Sequence, residues 1–186
     1  VGAGAELLGT TTGFPFGSYF YTHWLGPQML GHVPWFIPPS WFALGLVSFD
    51  LASRLGRTGW QRIGLAAVFL TLWDVSLDPA MSRAFPFWTY PDGGFFYGMP
   101  LSNWVGWLFT GTVIMMGFEW MLRDRQAHSP LAPAVYLVNC LFPIGLSLLY
   151  GLWWAVLAGL VATFVVLYPV TPTVARLADS MRLRPA

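Results

Sequence analysis

The chain has 186 residues, 56% of them hydrophobic and 18% aromatic but only 9% charged, with a mean hydropathy of +0.59. That much apolar side chain cannot be hidden inside a water-soluble domain of this size, so the composition is that of an integral membrane protein. Nine basic residues, all of them Arg, stand against eight acidic ones for a net charge of +1, which leaves no basic field for nucleic acid and excludes it as a partner.

The opening Val1-Gly2-Ala3-Gly4 has no initiator Met and no basic segment leading into an apolar one, so no signal peptide is expected. The start reads as cut or processed, with further membrane helices expected upstream. Crossing a bilayer core of about 30 Å takes about 20 apolar residues as helix. Five stretches meet this: Pro34 to Ser53, Gln61 to Leu77, Pro100 to Leu122, Leu131 to Tyr150 and Leu152 to Val170. Only a turn around Gly151 separates the last two, which form an antiparallel hairpin or else one broken helix. Residues 6 to 34 and 78 to 100 are rich in Gly, Pro and aromatics yet poor in the Ser, Lys and Glu of a solvated loop, so they are expected to be packed aromatic loops with backbone that is not fully helical. The fold class is therefore all-α, a polytopic bundle of about five transmembrane helices forming a single domain over residues 1–186, with packed loops on the outer side. The lone cysteine, Cys140, lies in an apolar stretch and reads as a packing residue.

Arginines set the orientation. Arg54, Arg57 and Arg62 surround the first connection, Arg123 and Arg125 the third, and Arg176, Arg182 and Arg184 the tail, while the other side has only Arg83. The Arg-rich side and the C-terminal tail are expected to face the cytoplasm of a prokaryotic cell membrane. Trp60, Trp88 and Trp120 fit interfacial anchoring near helix ends.

Ionisable groups inside a membrane are costly and point to function unless a salt bridge explains them. Asp50 has Arg54 four residues on and Glu119 has Arg123 four residues on, so pairing accounts for both. Glu6, Asp74, Asp78 and Asp92 remain, all in or beside the outer half. Asp74 and Asp78 are one helical turn apart on one face, and Pro79 is expected to end that helix. Two such carboxyls disfavour joint ionisation, which yields a general acid beside a carboxylate able to act as base. For Asp78 the plainer roles are capping the next turn or pairing with Arg83. Pro100-Leu101-Ser102-Asn103-Trp104 begins a helix, and its Asn103 either orients a carboxylate or a water or simply bonds between helices. Tyr19, Tyr21, Trp24, Trp73, Trp88, Tyr97 and Trp104 are candidates for substrate binding, against ordinary packing.

Other chemistry is not supported. The spacing of Gly2, Gly4 and Gly9 is wrong for a dinucleotide loop, and His23, His32 and His128 are scattered, with no zinc motif. Asp74-x-x-x-Asp78 has the spacing by which membrane prenyltransferases hold Mg²⁺-diphosphate, but the second acidic motif and the basic residues are missing. No metal or cofactor is therefore expected.

Several segments in order carry a resemblance: Glu6-Leu-Leu-Gly9, Thr12 to Tyr19 (TGFPFGSY), Leu25-Gly26-Pro27, Trp73 to Pro79 (WDVSLDP) and Phe96 to Trp107 (FYGMPLSNWVGW). From about residue 6 to 107 the chain resembles the membrane carotenoid 1,2-hydratases of the CruF type, a carotenoid-biosynthesis family; the last two helices match only in hydrophobic character. Members are usually longer at the N-terminus. The resemblance implies addition of water across the terminal C1–C2 double bond of an acyclic carotenoid end group, giving a tertiary alcohol without redox cofactor. It implies Asp74 as acid, Asp78 or Glu6 as base or orienter, and Asn103 placing the water, with these roles open to permutation. Carotenoid, water and the lipid bilayer are then the partners, and other membrane enzymes of the pathway are admissible ones. A non-catalytic pigment-binding subunit and a proton-initiated carotenoid cyclase or isomerase remain as alternatives.

Overall fold

The computed structural model describes residues 1–122 and 128–171. Among the described residues six α-helices form the bundle: α1 (Gly2–Thr12), α2 (Ile37–Arg54), α3 (Gly59–Pro79), α4 (Leu101–Leu122), α5 (Ala132–Leu149) and α6 (Trp153–Leu167). Short strands β1 (Phe20–Tyr21), β2 (Gln28–Met29), β3 (Val33–Pro34) and β4 (Trp88–Thr89) pair antiparallel as β1 with β4 and β2 with β3. The five expected helices are α2 to α6. Helical chain over Gly59–Ala84, Leu101–Leu122 and Ala132–Leu149 is long and apolar enough to cross a membrane, whereas α6 is apolar but has 15 residues.

The α3 helix is the hub. It packs against α2, α4, α5 and α6, and small residues let the backbones approach. Gly111 of α4 sits over Ala67 and Leu70, and a Cβ on Gly159 of α6 would come within 2.7 Å of Ser76 on α3. The outward faces of α4 to α6 stay apolar, with Val105, Phe109, Val138, Phe142, Leu160 and Phe164 exposed as a lipid-facing surface requires. Tyr150 and Gly151 turn α5 into α6, Gly151 supplying φ of +70°, and the two helices pack as a hairpin.

One expectation about local structure fails and one is met with an addition. Residues 6 to 12 are helical, not loop: α1 is held by Thr10, Thr11 and Thr12, whose hydroxyls donate to carbonyls of the preceding turn, and by the close fit of Gly2 against Trp41. Pro79 ends α3 as expected, but the winding continues past it. The chain passes into a single π-helical turn, Ala80–Ala84, closed by Phe85 N–H donating to Ala80 C=O over 3.1 Å. Proline removes only its own N–H, and the wider turn accepts the change of register.

The Arg-rich end is clamped by ion pairs. Arg54 donates to Asp50 over 2.6 Å and to the Ser129 carbonyl over 2.5 Å, tying α2 to the start of α5. Arg62 of α3 pairs with Glu119 of α4 over 2.6 Å and lies 4.7 Å above the Phe49 ring. The expected partner of Glu119, Arg123, lies outside the described residues, as do Arg125, Arg176, Arg182 and Arg184.

Candidate active site

At the opposite end the α1, α2, α3 and α4 helices and the β1–β4 ribbon enclose a cavity with ≈ 50 Å³ open to a water-sized molecule, room for a few waters or one small end group. Four polar residues expected from the sequence meet there: Glu6 from α1, Asp74 and Asp78 from α3, and Asn103 from α4, none more than 4% exposed. Aromatic rings, with Ile37, Ser40 and Leu77, form the rest of the wall.

The three carboxyl groups differ in their donors. Glu6 Oε2 accepts from the Tyr19 hydroxyl at 2.5 Å and the Tyr21 hydroxyl at 2.8 Å, and Oε1 accepts from Trp41 Nε1 at 2.6 Å. Asp78 accepts from Trp88 Nε1 at 2.6 Å, from the Tyr90 hydroxyl at 2.8 and 2.9 Å on its two oxygens, and from Asn103 Nδ2. Among the described residues, Asp74, fully buried, accepts from Asn103 Nδ2 at 3.1 Å, and no donor reaches its Oδ1. Arg83 is exposed and does not take part; Asp78 is held by the aromatic donors instead.

Electrostatics outside the spanning helices agrees with these donor counts. Burial pushes the Glu6 carboxyl above its ordinary value, and the Tyr19, Trp41 and Tyr21 donors oppose that rise. Burial and the neighbouring carboxyls raise the Tyr19, Tyr21 and Tyr90 phenols, which keeps them protonated as donors.

Among the candidate substrate-binding residues, Tyr19, Tyr21, Trp73 and Trp88 line the cavity. Trp88 is buried there, not interfacial, whereas Trp60 and Trp120 are exposed at the Arg-rich end. Three candidates lie elsewhere. Trp24 is exposed against His23 and Phe85; the Tyr97 hydroxyl accepts from Trp154 N–H at the start of α6; Trp104 packs on Phe95 and Phe96. Asp92 is exposed in a turn and does not join the acidic cluster. Sequence reasoning passed over Trp41, Tyr90 and Trp107, which also line the cavity. Trp41 stacks on Trp107 with centroids 4.0 Å apart, and Trp107 meets the Trp73 edge at 5.8 Å. In so aromatic a chain nothing local marked them, although Trp107 closes the FYGMPLSNWVGW segment. Among the described residues no group of three or more His, Cys, Asp or Glu is placed to hold a metal ion.

The profile of the family described as carotenoid biosynthesis protein matches residues 1–166, which takes in every cavity residue. The chain belongs to the carotenoid biosynthesis protein family. It is 32% identical over 159 residues to the bisanhydrobacterioruberin hydratase of Haloarcula japonica, an alignment covering 81% of this chain and 54% of that protein. This family member thus spans about half the length of the relative it matches. No solved structure matches it.

Proposed function

We propose that the protein hydrates the terminal C1–C2 double bond of an acyclic carotenoid end group. The observation that carries this reading is the unequal provision for three buried carboxyls in one aromatic cavity. Burying a carboxylate costs several kcal/mol even after relaxation, and a charge-assisted donor contributes about 1.5–3 kcal/mol. The donors on Glu6 and on Asp78 offset that cost, so both serve as anions. Asp74, with one donor and a bare Oδ1, is the carboxyl left to carry the proton.

Chemistry follows from that division. Asp74 gives its proton to C2, and the π electrons form the new C–H bond while a tertiary cation develops at C1. The anions Asp78 and Glu6 and the faces of Trp41, Trp73 and Trp107 lower its energy. Water adds through oxygen to C1 and passes its extra proton to Asp78. Asn103, whose amide touches both aspartates, orients the pair while the proton returns from Asp78 to Asp74. The sum is carotenoid plus water to tertiary alcohol, with no net redox change and no cofactor. That the Haloarcula relative is named a hydratase supports the reaction type.

The test is expression of the full gene product in cells accumulating an acyclic carotenoid, with pigments read by mass spectrometry. A product heavier by one water, absent with Asp74→Asn at equal membrane expression, is the expected result. Unchanged pigment bound to folded protein would instead identify a binding subunit, and a product of unchanged mass an isomerase or cyclase.

A further inference from the structure

The β1–β4 ribbon joins segments far apart in sequence, with Phe20 opposite Thr89 and Tyr21 opposite Trp88. Alternation along a strand sends residues two apart to the same side. Tyr21 of β1 with Tyr19 just before the strand, and Trp88 of β4 with Tyr90 just after it, thus face the cavity, while Phe20 is 52% exposed. The first pair donates to Glu6 and the second to Asp78. Their rings touch across the ribbon, Tyr21 with Trp88 at 5.9 Å and Tyr19 with Tyr90 at 6.1 Å. Thr22 fastens its end, donating through its hydroxyl to Pro86 C=O at 2.8 Å and through its amide to Phe87 C=O at 2.8 Å. One small piece of sheet therefore fixes two carboxylates that belong to two different helices.

We propose that this ribbon decides the fate of the carbocation, with Tyr21 and Tyr90 as positioning residues that hold Glu6 and Asp78 where they favour water capture over proton loss. The proposal rests on the hydration reading above. A cation at C1 has two exits. Water can bond to C1 and give up a proton to an aimed carboxylate, or a C–H bond next to C1 can break, its electrons forming a new double bond and its proton passing to a nearby carboxylate. The second exit returns an isomer of unchanged mass and needs no placed water. Asp78, held on both oxygens from the ribbon, and Glu6, held on Oε2 by the ribbon phenols and on Oε1 by Trp41, cannot swing toward the hydrogens of the end group. Removing the Tyr90 hydroxyl takes one donor from each oxygen of Asp78, leaving Trp88 on Oδ1 and Asn103 on Oδ2, and removing the Tyr21 hydroxyl takes from Glu6 Oε2 one of its two phenols.

The experiment compares Tyr90→Phe, Tyr21→Phe and the double variant with wild type in membranes supplied with an acyclic carotenoid, scoring hydrated against isomerised product. Arg62→Met, at the far end of the bundle, controls for lost stability alone. The expected result is a fall of tenfold or more in the hydrated-to-isomerised ratio for the double variant, a smaller fall for each single one, and an unchanged ratio for Arg62→Met. An unchanged ratio in all three Tyr variants, with wild type hydrating, overturns the ribbon's role and leaves the hydratase reading intact. Wild type that yields no hydrated product sinks that reading and this proposal with it. Should the double variant fail to fold, the single variants decide, since each keeps its ring and its stacking.

Discussion

Asn103 shows how little separates a structural polar residue from a functional one. Its amide nitrogen donates to Asp74, to Asp78 and toward the Met99 sulfur, so a single side chain serves both aspartates of α3. Replacing it by Leu leaves two buried carboxyl groups each short of a donor, at a cost of about 1–3 kcal/mol for each group left unsatisfied. The variant is expected to melt lower in detergent and to lose hydration entirely, whereas Asn103→Gln, which keeps the amide, recovers part of the melting temperature. Glu6, outside the spanning helices, gives a pH prediction. Burial holds it above 4.5, so it is ionised at high pH and takes up a proton as pH falls through that raised value. Activity that needs the anion is therefore lost on the acid side. Because the Tyr21 donor opposes the rise, Tyr21→Phe shifts the acid limb of the pH–rate profile to higher pH. An acid limb that stays in place in Tyr21→Phe would show that Glu6 does not control it.

The helices differ in how far they could be read from sequence. Long apolar runs ending at Arg, Pro or Gly revealed α2 to α6 within a few residues, because lipid imposes a length and a polarity on any crossing helix. No such constraint marked α1, a short helix in which six of eleven residues are Gly or Thr, both poor helix formers, and which packs against Trp41, Phe16 and Tyr19. Two-residue strands 67 positions apart leave no local signal either, so the acids of the site were legible but the donor Tyr90, next to β4, was not, and Trp41 read as one more aromatic of the apolar α2. Close packing against α4 can be tested at one glycine. A Cβ on Gly106 would lie 2.9 Å from the Pro15 carbonyl and no farther from Phe16, on the loop that carries the chain toward β1. Gly106→Val is expected to destabilise by about 1–3 kcal/mol and to loosen the ribbon. Gly117→Ala on the same helix meets nothing within 4 Å and should be neutral or stabilising. Thermal unfolding of the two variants in one detergent separates a local clash from a general intolerance of change in α4.

Across the whole molecule, the two ends are built from opposite materials. One is fastened by charged groups, Arg62 of α3 pairing with Glu119 of α4 and the Arg54–Asp50 pair within α2 reaching Ser129 before α5; the other gathers carboxyl groups under aromatic donors. Removing one member of a largely buried ion pair costs about 3–5 kcal/mol, so Arg62→Met should lower stability markedly while the turnover of surviving protein is kept. The same division of charge sets the expected topology, because Arg-rich connections are retained in the cytoplasm. Cys140 is the sole cysteine and is 1% exposed, so an introduced surface thiol can be labelled against a silent background. Trp60 at the start of α3 and Phe95 in the loop before α4 are 72% and 70% exposed at opposite ends. With Trp60→Cys and Phe95→Cys in intact cells, a membrane-impermeant maleimide is expected to label position 95 and to reach position 60 only after the membrane is opened. The reverse pattern would put the carboxylate cavity on the cytoplasmic side, so that its water and its protons would be drawn from the cytoplasm.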